Sequence, residues 1–247
     1  VISFRGVTRL YNEKHHALEG ISFSVRRGEF LFITGASGAG KTTLLRHVYM
    51  ADLPDEGEVE VANYSSRTIR RRDIPRLRRK LGVVFQDFRL LTDRSIFDNI
   101  AIVLRISGVP RRDIGRRVLK ALASVGLTHR VEDPPGVLSG GEKQRLAIAR
   151  AIVNDPYVLL ADEPTGNLDP ATSADIFAIF DRVNSAGTAV LVATHDVARA
   201  TAGSRRRLHL ERGKLVTDSG AAPPAVGTPP TPPAPPKPGG ADAPRLA

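Results

Sequence analysis

The chain has 247 residues, 36 of them Lys or Arg against 26 Asp or Glu, which gives a formal net charge of +10. It contains no cysteine, so thiolate zinc sites and disulfide frameworks are excluded and a reducing compartment suits it. No apolar run approaches the length of a membrane span, and the first residues, Val1-Ile2-Ser3-Phe4-Arg5, lack the apolar stretch of a secretion signal; a cytosolic protein with one sizeable core, or a core with an inserted subdomain, is expected.

Residues 2–7 and 21–25 read as short strands. Tyr11, between them, either stacks on an adenine ring or is an ordinary packed tyrosine. Phe30-Leu31-Phe32-Ile33 reads as a buried strand feeding the loop Gly35-Ala36-Ser37-Gly38-Ala39-Gly40-Lys41-Thr42, which opens into the helical Thr43-Leu44-Leu45. Glycines strip the side chains from such a loop so that consecutive backbone N–H groups can wrap phosphates. The helix N-terminus adds positive potential, Lys41 reaches the outer phosphates of a nucleoside triphosphate, and Thr42 offers a hydroxyl to Mg²⁺. A plain tight turn needs only one or two glycines and gives no reason for Lys-Thr at this spacing.

The densest basic stretch runs from Arg67 to Lys80 and includes Arg70-Arg71-Arg72. A solvated helix face, an anionic membrane surface and a nucleic acid all fit that charge, but no aromatic residue interleaves the arginines as a base-stacking platform requires. Gly82-Val83-Val84-Phe85 is an apolar run closed by Gln86, whose amide oxygen can ligate Mg²⁺ without adding charge. Helical patterns follow over 96–106, 111–125 and 140–153, bounded by Gly108-Val109-Pro110, Gly126 and Asn154-Asp155-Pro156, as in a helical insertion. Within it, Leu138-Ser139-Gly140-Gly141-Glu142-Lys143-Gln144-Arg145 is a second anion-binding element, with backbone N–H groups at a helix start. Two phosphate elements in one chain are reconciled if each serves a different nucleotide in a head-to-tail dimer.

The strand pattern returns at 158–161 and delivers Asp162 and Glu163 to the strand end where the glycine loop lies. Asp162 there can hold Mg²⁺ while Glu163 polarises the water that attacks the γ-phosphate. A helix from about 171 to 184 and a strand at 189–193 follow, and the strand ends beside His195, placed to hydrogen-bond that phosphate and orient the water. Such alternation implies a mostly parallel sheet with ligands at the C-terminal ends of its strands. From about Thr217 the composition turns to Ala, Pro and Gly, which cannot bury a core and is expected to be disordered. No internal repeat is evident.

The glycine loop, Gln86, Leu138 to Arg145, Asp162-Glu163, Asn167-Leu168-Asp169 and His195 resemble, in order, the Walker A, Q-loop, signature, Walker B, D-loop and H-loop motifs of the ABC-type ATPase family, and Tyr11 matches its A-loop aromatic. Glu142 stands where many relatives carry glutamine. The resemblance implies a P-loop α/β fold with a mostly parallel core, an N-terminal antiparallel β region and an inserted helical subdomain at about 87–156, in a domain spanning 1–216 before a tail at 217–247. It implies hydrolysis of ATP to ADP and phosphate with Mg²⁺ held by Thr42, Gln86 and Asp162. It also implies a homodimer formed on ATP binding, in which Ser139, Gly140, Gly141 and Glu142 meet the ATP of the other subunit and Asn167, Leu168 and Asp169 line the contact.

Val84 to Leu91, Asp98-Asn99-Ile100-Ala101 and Ala161 to Asp169 resemble more narrowly the FtsE branch of cell-division ATP-binding proteins. That implies a peripheral protein on the cytoplasmic face of the bacterial inner membrane, with an integral membrane partner resembling FtsX. Through that partner it would act on periplasmic activators of peptidoglycan hydrolases, with no nucleic acid involved. The alternative is the ATPase subunit of a lipoprotein-release or macrolide-type exporter. Phe88, Leu90 and Leu91, a few residues past Gln86, are expected to contact a short helix of the membrane partner, the other possibility being that they pack inside the helical subdomain.

Overall fold

A computed structural model describes residues 1–12, 15–201 and 205–220. The chain opens with β1 (Ile2–Asn12), β2 (His15–Val25) and β3 (Phe30–Thr34), followed by α1 (Lys41–Val48), β4 (Glu56–Val61) and β5 (Tyr64–Ser65). Next come α2 (Ile74–Arg78) and β6 (Leu81–Val84), then three successive helices, α3 (Ile96–Ile106), α4 (Arg111–Ser124) and α5 (Gly140–Ile152). The chain then alternates again through β7 (Val158–Asp162), α6 (Pro170–Ser185), β8 (Ala189–Thr194), α7 (Val197–Thr201), β9 (Arg206–Glu211) and β10 (Lys214–Asp218).

Two sheets result. The first, antiparallel, has the order β2-β1-β4-β5; the second has the order β10-β9-β3-β8-β7-β6, parallel from β9 to β6 with β10 added antiparallel at one edge. The central parallel strands β3, β7 and β8 are buried on both faces, which explains why they read as apolar runs rather than alternating ones, whereas β9 alternates. Their side chains nonetheless split by parity. Phe30 and Phe32 of β3, Leu159 and Ala161 of β7, and Val190 and Val192 of β8 join a core with α3, α4, α5 and α6. Leu31 and Ile33, Val158 and Leu160, and Leu191 pack on the other face with α1 and the antiparallel sheet. The α/β fold with a mostly parallel core and an N-terminal antiparallel region is as expected.

Several bounds differ from the sequence reading. β1 and β2 extend well past 2–7 and 21–25, because their pairing continues through register shifts that an unbroken period-two pattern does not reveal. The β4–β5 and β9–β10 pairs were not anticipated, although Glu56-Gly57-Glu58-Val59-Glu60-Val61 alternates as a half-buried strand should. The boundary expected at 216 falls inside β10, where Thr217 pairs with His209 and Asp218 with Leu208. Asp218 also forms a two-pronged ion pair with Arg206, whose guanidinium further bonds Glu29 and the Ser24 carbonyl. The expected tail from residue 221 onward lies outside the described residues.

Candidate functional site

β3, β6, β7 and β8 are parallel, so their C-terminal ends share one edge of the sheet, and the segments leaving them carry the glycine loop, Gln86, Glu163 and His195. A cleft of about 590 Å³ opens there, lined by Tyr11, Ser37, Gly38, Gly40, Lys41, Thr42, Thr43, Gln86, Glu163, Gly166, Asn167 and His195. His16 and Ala17 complete its rim; no sequence motif pointed to them.

The glycine loop owes its composition partly to packing. Gly40, which caps α1, has φ +105°, and a Cβ there would lie 2.5 Å from the Ala17 carbonyl oxygen. A Cβ on Gly35 would come within 2.3 Å of the Leu210 carbonyl. Backbone from β2 and β9 therefore closes against the loop, which only glycine permits. No side chain caps α1 and its first turn holds no acidic residue, so its first amides stay available to an anion. Tyr11 is 61% exposed and its hydroxyl lies 2.9 Å from the Thr43 hydroxyl, which presents the ring at the mouth of the cleft.

Lys41 is only 7% exposed, and its ammonium donates to the carbonyls of Gly35 at 2.8 Å and Ala36 at 3.1 Å while lying 3.3 Å from Glu163 Oε1. The other oxygen of Glu163 takes hydrogen bonds from the backbone N–H of His195 at 3.2 Å and meets its ring Nδ1 at 2.8 Å. Glu163 thus joins the glycine loop to the end of β8. It does so from a left-handed backbone, φ +45°, an uncommon conformation for a non-glycine residue. Asp162, one residue earlier, receives a hydrogen bond from the Thr42 hydroxyl, and its Oδ1 is buried without a partner. Burial raises the Asp162 pKa and the neighbouring Glu163 charge adds to that, while Thr42 and Lys41 oppose it. A cation at Oδ1 would reverse this balance, so the residues fit a divalent ion. Among the described residues no cluster of three or more His, Cys, Asp or Glu side chains is found that could hold a metal ion alone.

Ser139, Gly140, Gly141 and Glu142 are not brought to this cleft. They start α5, where Ser139 accepts from the Glu142 amide and Glu142 accepts from the Ser139 amide in a reciprocal cap. Glutamate serves this cap as well as glutamine would, and the bond from the Ser139 amide holds its pKa below the usual range. The first two amides of α5, those of Gly140 and Gly141, remain for an external acceptor. Gly141 is dictated by crowding: a Cβ would lie 2.5 Å from the Thr172 methyl. Thr172 is fixed by Asp169, which caps α6, and Leu168 sits 3.5 Å from where a Cβ of Gly140 would be. The two helix starts form one surface.

Past Gln86 the three apolar residues separate. Phe88 and Leu90 are partly buried against the helical core, whereas Leu91 is 36% exposed. The bend is held from two sides that sequence reasoning missed. Arg150, near the end of α5, donates to the carbonyls of Phe88 and Arg89, each at 2.6 Å, across two residues at φ +58° and +48°. Burial lowers the Arg150 pKa. The fully buried Asn99 of α3 takes the Leu91 amide at 2.8 Å and returns a bond to its carbonyl at 3.0 Å. An amide buried in an amphipathic helix was the available signal for Asn99.

A family model described as ABC transporter matches residues 18–166. The cell division ATP-binding protein FtsE of Streptococcus pneumoniae serotype 2 is 46% identical over 218 residues, 88% of this chain and 95% of that protein. FtsE of Mycobacterium tuberculosis is 45% identical over 219 residues, again 88% of this chain and 95% of the relative. Among solved structures, an ATP-binding cassette captured as a dimer in a post-hydrolysis state with ADP and Pi matches with TM-score 0.78 and 32% identity, covering 88% of this chain and 97% of its own.

Proposed function

The chain belongs to the ABC transporter family, and from that premise we propose that this ATPase serves bacterial cell division as the ATP-hydrolysing subunit of a complex of the FtsE and FtsX kind. The observation that carries its chemistry is the bridge from Lys41 through Glu163 to His195 beside an open helix N-terminus. The loop amides from Gly35 to Thr43 and the Lys41 ammonium bind the phosphates of ATP, and Tyr11 covers its base. Glu163 draws a proton from the attacking water, whose position His195 fixes against the γ-phosphate. Thr42, Gln86 and Asp162 would hold Mg²⁺, and the orphaned Asp162 oxygen supports this. When bound, such an ion would supply positive charge against the phosphates of ATP.

The start of α5 lies away from its own cleft, which supports a head-to-tail homodimer in which Ser139 to Glu142 close over the partner copy's ATP, with Asn167, Leu168 and Asp169 in the contact. No helix among the described residues is long and apolar enough to cross a membrane, so the chain would attach to the cytoplasmic face through an integral partner resembling FtsX. Leu91, with the outer edges of Phe88 and Leu90, is the surface we assign to that partner. Its movement would be passed outward to control peptidoglycan hydrolysis. In cells, the tagged chain should gather at the division site and disperse when the membrane protein encoded beside it is deleted; unchanged gathering would refute the assignment.

A further inference from the structure

The basic stretch from Arg67 to Lys80 has no part in the nucleotide chemistry. Arg70, Arg71, Arg72 and Arg79 are exposed, and among the described residues no carboxylate pairs with them; only Arg76 has such a partner, Asp73 at 3.3 Å. The apolar residues of the same stretch turn inward: Leu77 is fully buried, and Ile69 and Ile74 pack on the core beneath the antiparallel sheet. What faces outward is therefore charge without an apolar wedge, suited to resting on an anionic surface and unsuited to inserting into one.

Its position is equally informative. Arg78 donates to the carbonyls of Tyr49 and Met50, each at 3.0 Å, and its guanidinium lies 6.0 Å from the Tyr49 ring. Tyr49 stands edge-on to Phe85 at 6.4 Å, and the Arg89 guanidinium lies over the Phe85 ring at 4.0 Å. This ladder links the basic stretch to the segment around Gln86, so the two are neighbours in the fold.

We infer that Arg70, Arg71, Arg72 and Arg79 form a docking surface for the anionic headgroups of the bilayer, beside the segment that meets the membrane partner. The inference rests on the proposed membrane attachment and deepens it, because the lipid becomes a second ligand of the same face. Phosphate headgroups match guanidinium geometry, and the strip lacks the aromatic platforms that single-stranded nucleic acid requires.

The test uses the purified full chain and protein-free vesicles, so its outcome is independent of whether an FtsX-like partner is the right one. The chain should sediment with vesicles of phosphatidylglycerol mixed with phosphatidylcholine, should not sediment with phosphatidylcholine alone, and should be released as salt rises. The variant Arg70→Gln/Arg71→Gln/Arg72→Gln should bind the anionic vesicles about 100-fold more weakly, given a roughly fivefold loss for each basic residue at such a surface. Its ATP hydrolysis should match the parent's, which establishes that it is folded. Equal binding by parent and variant, or binding to neutral vesicles, would overturn the inference. So would displacement from the vesicles by an equal charge of single-stranded RNA, which would mark the strip as a general polyanion site.

Discussion

Glu163→Gln isolates the carboxylate from its shape. The amide keeps an oxygen that can accept from the His195 backbone N–H, now 3.2 Å away, so the end of β8 should hold its place. It loses the negative charge 3.3 Å from the Lys41 ammonium and the basicity needed to take a proton from water. A general base contributes about 10²–10⁴-fold to rate, so kcat should fall by at least about 10²-fold, roughly 2.7 kcal/mol in the barrier. ATP affinity should move the other way or stay level, because Lys41 no longer divides its charge between Glu163 and the phosphates. The dissociation constant should lie within about threefold of the parent's or below it. Phosphate release measures the first quantity and titration with a fluorescent ATP analogue the second. Gel filtration in Mg²⁺ and ATP should show a dimer that persists, since the nucleotide closing it is no longer hydrolysed. Turnover within about threefold of the parent would remove Glu163 from the proton-transfer role, because no geometric change in so conservative a substitution offsets the loss of a base.

Arg150→Met should release the Phe88 and Arg89 carbonyls; two bonds from a charged donor are worth about 3 kcal/mol together, of which relaxation of the two left-handed residues returns a part, so a stability loss of about 1–3 kcal/mol is expected, read from a lowered urea midpoint. Truncation after Gly220 should leave the melting temperature at the parent's value, whereas truncation after Val216 removes Asp218 and should lower it by several degrees, as about 2 kcal/mol does in a domain this size. Arg206 holds the Asp218 carboxyl below its usual pKa, so its contribution is present above the unfolded carboxylate pKa and is lost as pH falls through the lower folded value. Asp218→Asn should accordingly cost stability at pH 7 and flatten the acid-side decline below about pH 4, read by thermal melts across pH. Leu91→Ser, at an exposed position, should abolish capture by the membrane partner in detergent while ATP binding survives; retained capture would return the contact to Phe88 and Leu90 or elsewhere.

The motifs were legible because phosphate chemistry demands particular residues at fixed spacing within one loop. Gly35 to Thr43, Asp162-Glu163 and His195 each end a strand, and a parallel sheet brings strand ends together whatever the intervening helices do. The helical bounds at 96–106 were equally open to reading, since Ser95 caps the first turn and apolar residues recur with the helical period. The contacts of Arg150 and Arg206 were not. Arg150 reaches carbonyls 61 and 62 residues earlier in the chain, and a backbone acceptor leaves no residue type behind to signal it. Arg206 joins Glu29, Ser24 and Asp218 only once β9 is laid beside β3, and nothing local distinguishes it from the exposed Arg70.

The same limit applies inside the site. Sequence places a carboxylate at the end of β7, yet an extended residue there would alternate its side chain with Asp162 across the sheet. The left-handed turn at Glu163, fastened by its N–H to the Ala193 carbonyl at 2.9 Å, instead lets Glu163 line the cleft while Asp162 stays partly buried beside Thr42. Strain at this residue is thus tied to its use: Asp162 stays beside Thr42, and Glu163 reaches Lys41 on one side and His195 on the other. On the proposed mechanism, any substitution that relaxes this turn while keeping the carboxyl group should separate ATP binding, assigned to the loop amides, from hydrolysis, assigned to the bridge.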